Sequence, residues 1–167
     1  MNRFLLAIPL ALTITGCATV PPATTTPEGA EAFMDICMDT LPSFNTAVDK
    51  AKSMGIDNYG HVGGDEDYLV GINSDGSVAM YLRQYSATSE WCRVSTPLDT
   101  KWSYGPIFYK TVMKDLDLKN IDYEVSYRGN NDNKRISKLT AYYGDYEMYI
   151  THVSRGGEMY TIVRNDI

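Results

Sequence analysis

The sequence predicts an α+β domain in which helices pack on one face of an antiparallel sheet, in the order α-βββ-α-ββββ. Three observations carry that prediction. Apolar residues recur at spacings of three and four between Phe33 and Met54, and again between Ile107 and Leu116, the period of a helix with one buried stripe. Elsewhere apolar and polar residues alternate over short runs, the period of half-buried strands. The runs are joined by brief segments rich in Gly, Asn, Asp and Ser, and such connections make antiparallel neighbours. With 167 residues, 44% hydrophobic and 22% charged, the chain has globular composition and room for one domain.

Taken in order, Thr26, Pro27 and Glu28 read as an N-cap, a proline at the first helical position and an acid in the first turn. The stripe then runs through Phe33, Ile36, Cys37, Leu41, Phe44, Ala47, Val48, Ala51 and Met54. Pro42 lies inside it and has no N–H to donate to the carbonyl of Met38, so a kink or restart is expected there. Gly55 ends the helix with Ile56 behind it, and residues 57–66 (DNYGHVGGDE) read as a loop. Asp67–Asn73 and Val78–Tyr85 flank the turn residues Ser74, Asp75 and Gly76 as a hairpin. Glu90–Ser95 follows as a third strand, with Cys92 and Val94 on the side that meets the helix. Gly105 and Pro106 open a second helix of about three turns. Four strands complete the chain: Ile121–Arg128, Ile136–Tyr143, Tyr146–Val153 and Met159–Arg164. Asp67-Tyr68-x-Val70 and Asp122-Tyr123-x-Val125 echo each other and would mark a duplicated αβββ unit.

The N-terminus bears on location. One cation, Arg3, precedes an apolar run from Phe4 to Ile14 of about 11 residues, against the roughly 20 a spanning helix needs, so this is a secretory signal. Its end, Ile14-Thr15-Gly16-Cys17, resembles the lipobox of bacterial lipoproteins. That resemblance implies lipid transfer to the Cys17 thiol and cleavage after Gly16, giving a signal peptide over 1–16. A lipidated cysteine and Pro/Thr tether then cover 17–28, and the single domain 29–167. In that class the residue after the cysteine sorts the protein; Ala18 rather than Asp implies the outer membrane, with the domain in the periplasm, or a cell-membrane anchor in a host without an outer membrane. Two or three acyl chains, at about 0.8 kcal/mol per buried CH₂, hold firmly, so the membrane itself is the first expected partner.

Setting Cys17 aside leaves Cys37 and Cys92, an even number in an exported chain, and a disulfide between helix and strand is expected. The competing reading, a nucleophilic thiol, needs a neighbouring His. The pattern of Phe33, Cys37, Pro42 and Phe44 also resembles small exported proteobacterial proteins, a resemblance that supports the pairing and transfers no activity.

Chemistry-bearing motifs are sparse. Fifteen Lys and Arg against 21 Asp and Glu give a net charge of −6, which argues against nucleic acid as a partner. Gly63-Gly64-Asp65-Glu66 carries the letters of the cyclic-dinucleotide cyclase signature, but Asp67 stands where that family has an aromatic, so the segment reads as an acidic turn. Neither Asp65-Glu66-Asp67 nor the turn at Asp75 supplies the ligand set of an EF-hand, and no metal or cofactor is expected. No G-x-S-x-G is present. His61 lies in the Gly-rich stretch, and His152 shares strand parity with Tyr146, Met148 and Ile150, as a hydrogen-bonded packing residue would. The compositional excess is tyrosine, with nine of thirteen at or beyond Tyr104. Tyr123, Tyr127, Tyr142 and Tyr146 are the candidate binding face, since Tyr offers large contact area at low entropy cost; the alternative is that cross-strand Tyr pairs only stabilise the strands. The sequence thus leans to a non-catalytic, lipid-anchored binding or accessory module for an envelope protein. The alternatives are a periplasmic domain holding a small molecule between helix and sheet and, behind it, a small hydrolase.

Overall fold

The helical stripe of the N-terminal third forms two short helices instead of one. In the computed structural model, which describes Ala23 and residues 26–63, 67–83, 90–130 and 133–166, α1 spans Glu28–Phe33 and α2 spans Ala47–Ser53. Between them the chain widens into a π-helical turn at Met34–Met38, closed by the Asp39 N–H donating to the Met34 carbonyl at 2.9 Å. Thr40 caps the widened turn by donating to the Ile36 carbonyl at 2.6 Å. The restart expected at Pro42 is present, with Phe44 at φ 52° redirecting the chain into α2. Thr26 does not cap: the N-cap position is Pro27, without a side-chain hydrogen bond. Within the expected tether, Ala23 donates its N–H to the Ser103 carbonyl at 3.0 Å.

The segment expected as a loop over 57–66 forms a strand over most of its described length, which, with the first helix split in two, corrects the predicted order to α-α-ββββ-α-ββββ. This strand, β1 (Ile56–Val62), is followed by β2 (Tyr68–Asn73), β3 (Ala79–Arg83), β4 (Glu90–Thr96), α3 (Gly105–Leu118), β5 (Asp122–Arg128), β6 (Arg135–Tyr143), β7 (Tyr146–Ser154) and β8 (Glu158–Asp166). β1 escaped the periodicity because it is an edge strand: only Ile56 is buried and Tyr59 half-buried, so there is little alternation to read. The hairpin at Ser74–Gly76 forms as expected, with Gly76 at φ 73° and the Asp75 carboxylate accepting the Ser77 N–H at 2.9 Å.

All eight strands join one antiparallel sheet, in the order β1-β2-β3-β4-β8-β7-β6-β5. The two four-strand sets therefore meet through their last strands, and each set follows its own helical segment. One face of the sheet is buried: Met80, Leu82, Cys92, Val94, Leu139, Met148, Ile150, Tyr160 and Ile162 alternate with exposed or half-buried neighbours, except that Thr140 beside Leu139 is buried too. Cys37 of the π-helical turn is bonded to Cys92 on this face, with Cα atoms 5.7 Å apart. Phe108 of α3 lies with its ring centroid 4.9 Å from Tyr160 and 5.4 Å from Phe33, so aromatic rings fill the space between helices and sheet. Burying each such ring contributes about 2–3 kcal/mol. Between Ser126 and Tyr127 the β5–β6 register shifts and leaves Ser137 unpaired; this bulge turns Ile136 toward the core, and the Ser137 carbonyl accepts the Tyr109 hydroxyl at 3.1 Å.

Candidate functional site

Since Cys92 and Val94 point into the core, alternation sends Trp91, Arg93 and Ser95 to the opposite face, and the same rule sends Tyr81 there from between Met80 and Leu82. Cross-strand register lays this open face out in rows. Ile72, Ala79, Ser95, Met159 and Val153 form one row across five strands, and Val70, Tyr81, Arg93, Thr161 and Thr151 form the next. Arg83, Trp91, Val163, Tyr149 and Thr140 form a third. Apart from Thr140, these side chains are half-buried or exposed.

The rows enclose a depression of about 220 Å³ lined by Tyr68, Tyr81, Trp91, Arg93, Thr161 and Val163. Its wall is aromatic: the Tyr68 ring lies 5.5 Å from Trp91 and 6.3 Å from Tyr81, at tilts of 47° and 48°. At its floor the Arg93 guanidinium sits 5.2 Å from the Trp91 ring centroid, and Arg93 Nε donates to Thr161 Oγ1 at 3.0 Å. Trp, Tyr and Arg are the side chains that dominate binding energy at protein interfaces when clustered.

The tyrosines expected to form one binding face do not share one, which corrects that expectation. Tyr142 is on the open face, paired with Glu147 and Asp122. Tyr123 pairs with Ala141 on the buried face and packs against the core. Tyr127 follows the bulge, is 53% exposed and carries Lys134 over its ring at 4.8 Å. Tyr146 lies under the Arg164 guanidinium at 4.5 Å, and Arg164 itself bonds the Pro42 carbonyl. The tyrosine count misled because it weighed number over parity, while Trp91 and Arg93 were legible from the alternation that placed Cys92 and Val94 inward.

A second polar cluster lies on the buried face. Glu158, 1% exposed, accepts from Ser154 Oγ at 2.5 Å and is bonded to His152 Nε2 at 2.6 Å. The His152 ring stacks on Tyr160 at 5.0 Å, and the His152 N–H donates to the Tyr109 hydroxyl at 3.1 Å. His152 is thus the hydrogen-bonded packing residue its strand position suggests. Ser154 Oγ donates its hydrogen bond to the Glu158 carboxylate, not to the His152 ring, whereas a serine nucleophile is activated by donating to its base. Burial pushes the phenols of Tyr160 and Tyr109 up. Tyr104, beside this cluster, is held at about 12 by donating to Asp99 at 2.5 Å.

Cys37 and Cys92 are disulfide-bonded. Cys17, the signal segment, Asp65 and Glu66 lie outside the described residues. Asp67 pairs with His61 at 2.9 Å, and among the described residues no three His, Cys, Asp or Glu side chains come together to hold a metal ion. Nor is any described helix long and apolar enough to cross a membrane. No family model, curated protein or solved structure matches the chain.

Proposed function

We propose that the protein is a lipid-anchored envelope protein, acylated at Cys17 and sorted to the outer membrane. Its periplasmic domain acts as a non-catalytic binding module for another envelope protein, with the three helices as one layer over the buried face and the opposite face left for the partner. The observation that carries this reading is the open face itself, where apolar and aromatic rows across β2, β3, β4 and β8 surround the Trp91–Arg93 depression. Its volume of about 220 Å³ falls below the roughly 300–1,000 Å³ of small-ligand sites, which favours a protein surface over a small molecule. Between helices and sheet, the place for a ligand in the alternative reading, Phe33, Phe44, Phe108 and Tyr160 are fully buried and in contact with their surroundings.

Crosslinking in intact cells tests this. The acylated protein is expected to trap one partner near one-to-one, and a Cys17→Ser form is expected to leave the membrane fraction and lose it. A Cys17→Ser form that remains in the membrane would contradict the anchor, and efficient crosslinking with no discrete adduct would contradict the binding module.

A further inference from the structure

Arg93 is out of place for an acidic protein. It sits on β4, one of the two central strands, and its nearest neighbours on the open face are Tyr81, Thr161, Trp91 and Ser95, none of them charged. The closest other charge by register is Arg83, directly across from Trp91 and of the same sign. Two other half-buried cations do meet carboxylates: Arg164 meets Glu90 at 2.8 Å, and Lys119 meets Asp115 and Asp39 at 2.9 and 3.1 Å. Among the described residues no carboxylate comes within 4.0 Å of Arg93 or Arg83. Meanwhile the Arg93 guanidinium is held in orientation by its Nε bond to Thr161 and its contact with Trp91. A cation fixed in place, half-desolvated by aromatic rings and with no carboxylate within 4.0 Å among the described residues is preorganised for an anion.

We propose that the depression reads an acidic side chain on the partner, with the carboxylate taken by the Arg93 guanidinium and the adjoining apolar atoms lying against Trp91 and Tyr68. This rests on the open face being the docking surface. The aromatic residues cluster around one depression of single-side-chain size, the pattern of an anchor residue at a protein interface, whereas a glycan chain needs stacking platforms repeated along a track. Arg83 adds a second positive charge on the same face, so an acidic segment suits the site better than an isolated acid.

The test uses the full acylated protein in detergent micelles, with Trp102→Phe leaving Trp91 as the fluorescent reporter. The probe is the peptide acetyl-Leu-Glu-Leu-amide, compared with its Gln counterpart, with glucuronate and with inorganic phosphate. Expected is a saturable change in Trp91 emission with the Glu peptide, at least about tenfold weaker with the Gln peptide. The response should weaken as salt rises to about 0.5 M and be lost in R93Q. R93K, which keeps the charge without the planar fork, should bind with intermediate affinity, and its unfolding curve controls for folding. Equal response to Glu and Gln peptides, or wild-type response in a folded R93Q, would overturn the proposal. So would glucuronate or phosphate matching the peptide, since the site would then be a free-anion site. The docking reading is separated by the cellular crosslink: an adduct kept in R93Q and lost in W91A sinks the carboxylate reading alone, and one kept in both sinks the two together.

Discussion

The two halves of the sheet share a plan and differ in how the helices are fastened to it. In each, a helical segment is followed by a left-handed residue and a buried isoleucine, Gly55 at φ 80° before Ile56 and Asn120 at φ 52° before Ile121. Each then runs out along an edge strand carrying a half-buried tyrosine, Tyr59 or Tyr123, and returns through three antiparallel strands to the seam between β4 and β8. In the first half the helical segment is broken and bonded to the sheet through Cys37 and Cys92; in the second it is one 14-residue helix held by the Phe108–Tyr160 contact and the Tyr109 hydroxyl, over the His152–Glu158 pair. Topology is thus independent of fastening. The halves also differ outside: the aromatic depression draws on β2, β3 and β4 with the facing residues of β8, while the open side of β6 carries Lys138 over Tyr149 and Tyr142 beside Glu147.

The largest effect should come from the first fastening. Cys37→Ala with Cys92→Ala removes a crosslink across 55 residues, worth about 4 kcal/mol by the loop-entropy model, and denaturant unfolding with and without reductant should show the same loss in the wild-type chain. Next is the second fastening. Glu158→Gln leaves the buried His152 without its carboxylate and should cost about 3 kcal/mol, whereas replacing both, His152→Phe with Glu158→Met, should cost less than either single change. If the double replacement costs the sum of the singles, the pair is not the unit described. Gly29→Ala should cost about 1–3 kcal/mol, since a Cβ there would stand 2.6 Å from Thr96 Cγ2 and 2.9 Å from the Tyr160 ring where α1 crosses the seam; unchanged thermal unfolding would show that the crossing can give way.

The smallest effect is on pH dependence. The hydrogen bond from Tyr104 lowers the Asp99 carboxyl and raises the phenol to about 12. Asp99 therefore contributes stability that is present above its unfolded value near 4 and fades as pH falls through its lower folded value. The Tyr104 contribution is present below its unfolded value near 10 and fades as pH rises toward about 12. Tyr104→Phe should lower the plateau between the two limbs and flatten both, with least change at the acid and alkaline extremes; two unaltered limbs would contradict the assignment.

How much was legible follows from physical visibility. Seven of the eight strands, α3 and the cysteine pair announce themselves by period, turn chemistry and parity. β1 does not, because an edge strand that buries only Ile56 and half-buries Tyr59 has little alternation to show. Missing it also hid the repeat: Asp67-Tyr68 opens β2, the second strand of its half, and Asp122-Tyr123 opens β5, the first of the other, so that echo is out of register. The pairs that do correspond in position, Gly55-Ile56 and Asn120-Ile121, differ in one residue because two residue types can adopt the same left-handed turn. The binding face was sought in tyrosine abundance, which parity scatters over both sides of the sheet, while the Trp91–Arg93 depression depends on three strands and the facing residues of β8 meeting in register.

The central claim, that the open face of the first half and the seam carries the partner, is tested most directly by placing a photoreactive phenylalanine at one position at a time in the acylated protein and irradiating intact cells. Positions Tyr81 and Val163 should give one strong, discrete adduct, and Tyr142 on the open side of β6 should give little. Equal labelling from Tyr142, or adducts only from the exposed helix residue Lys110, would contradict it.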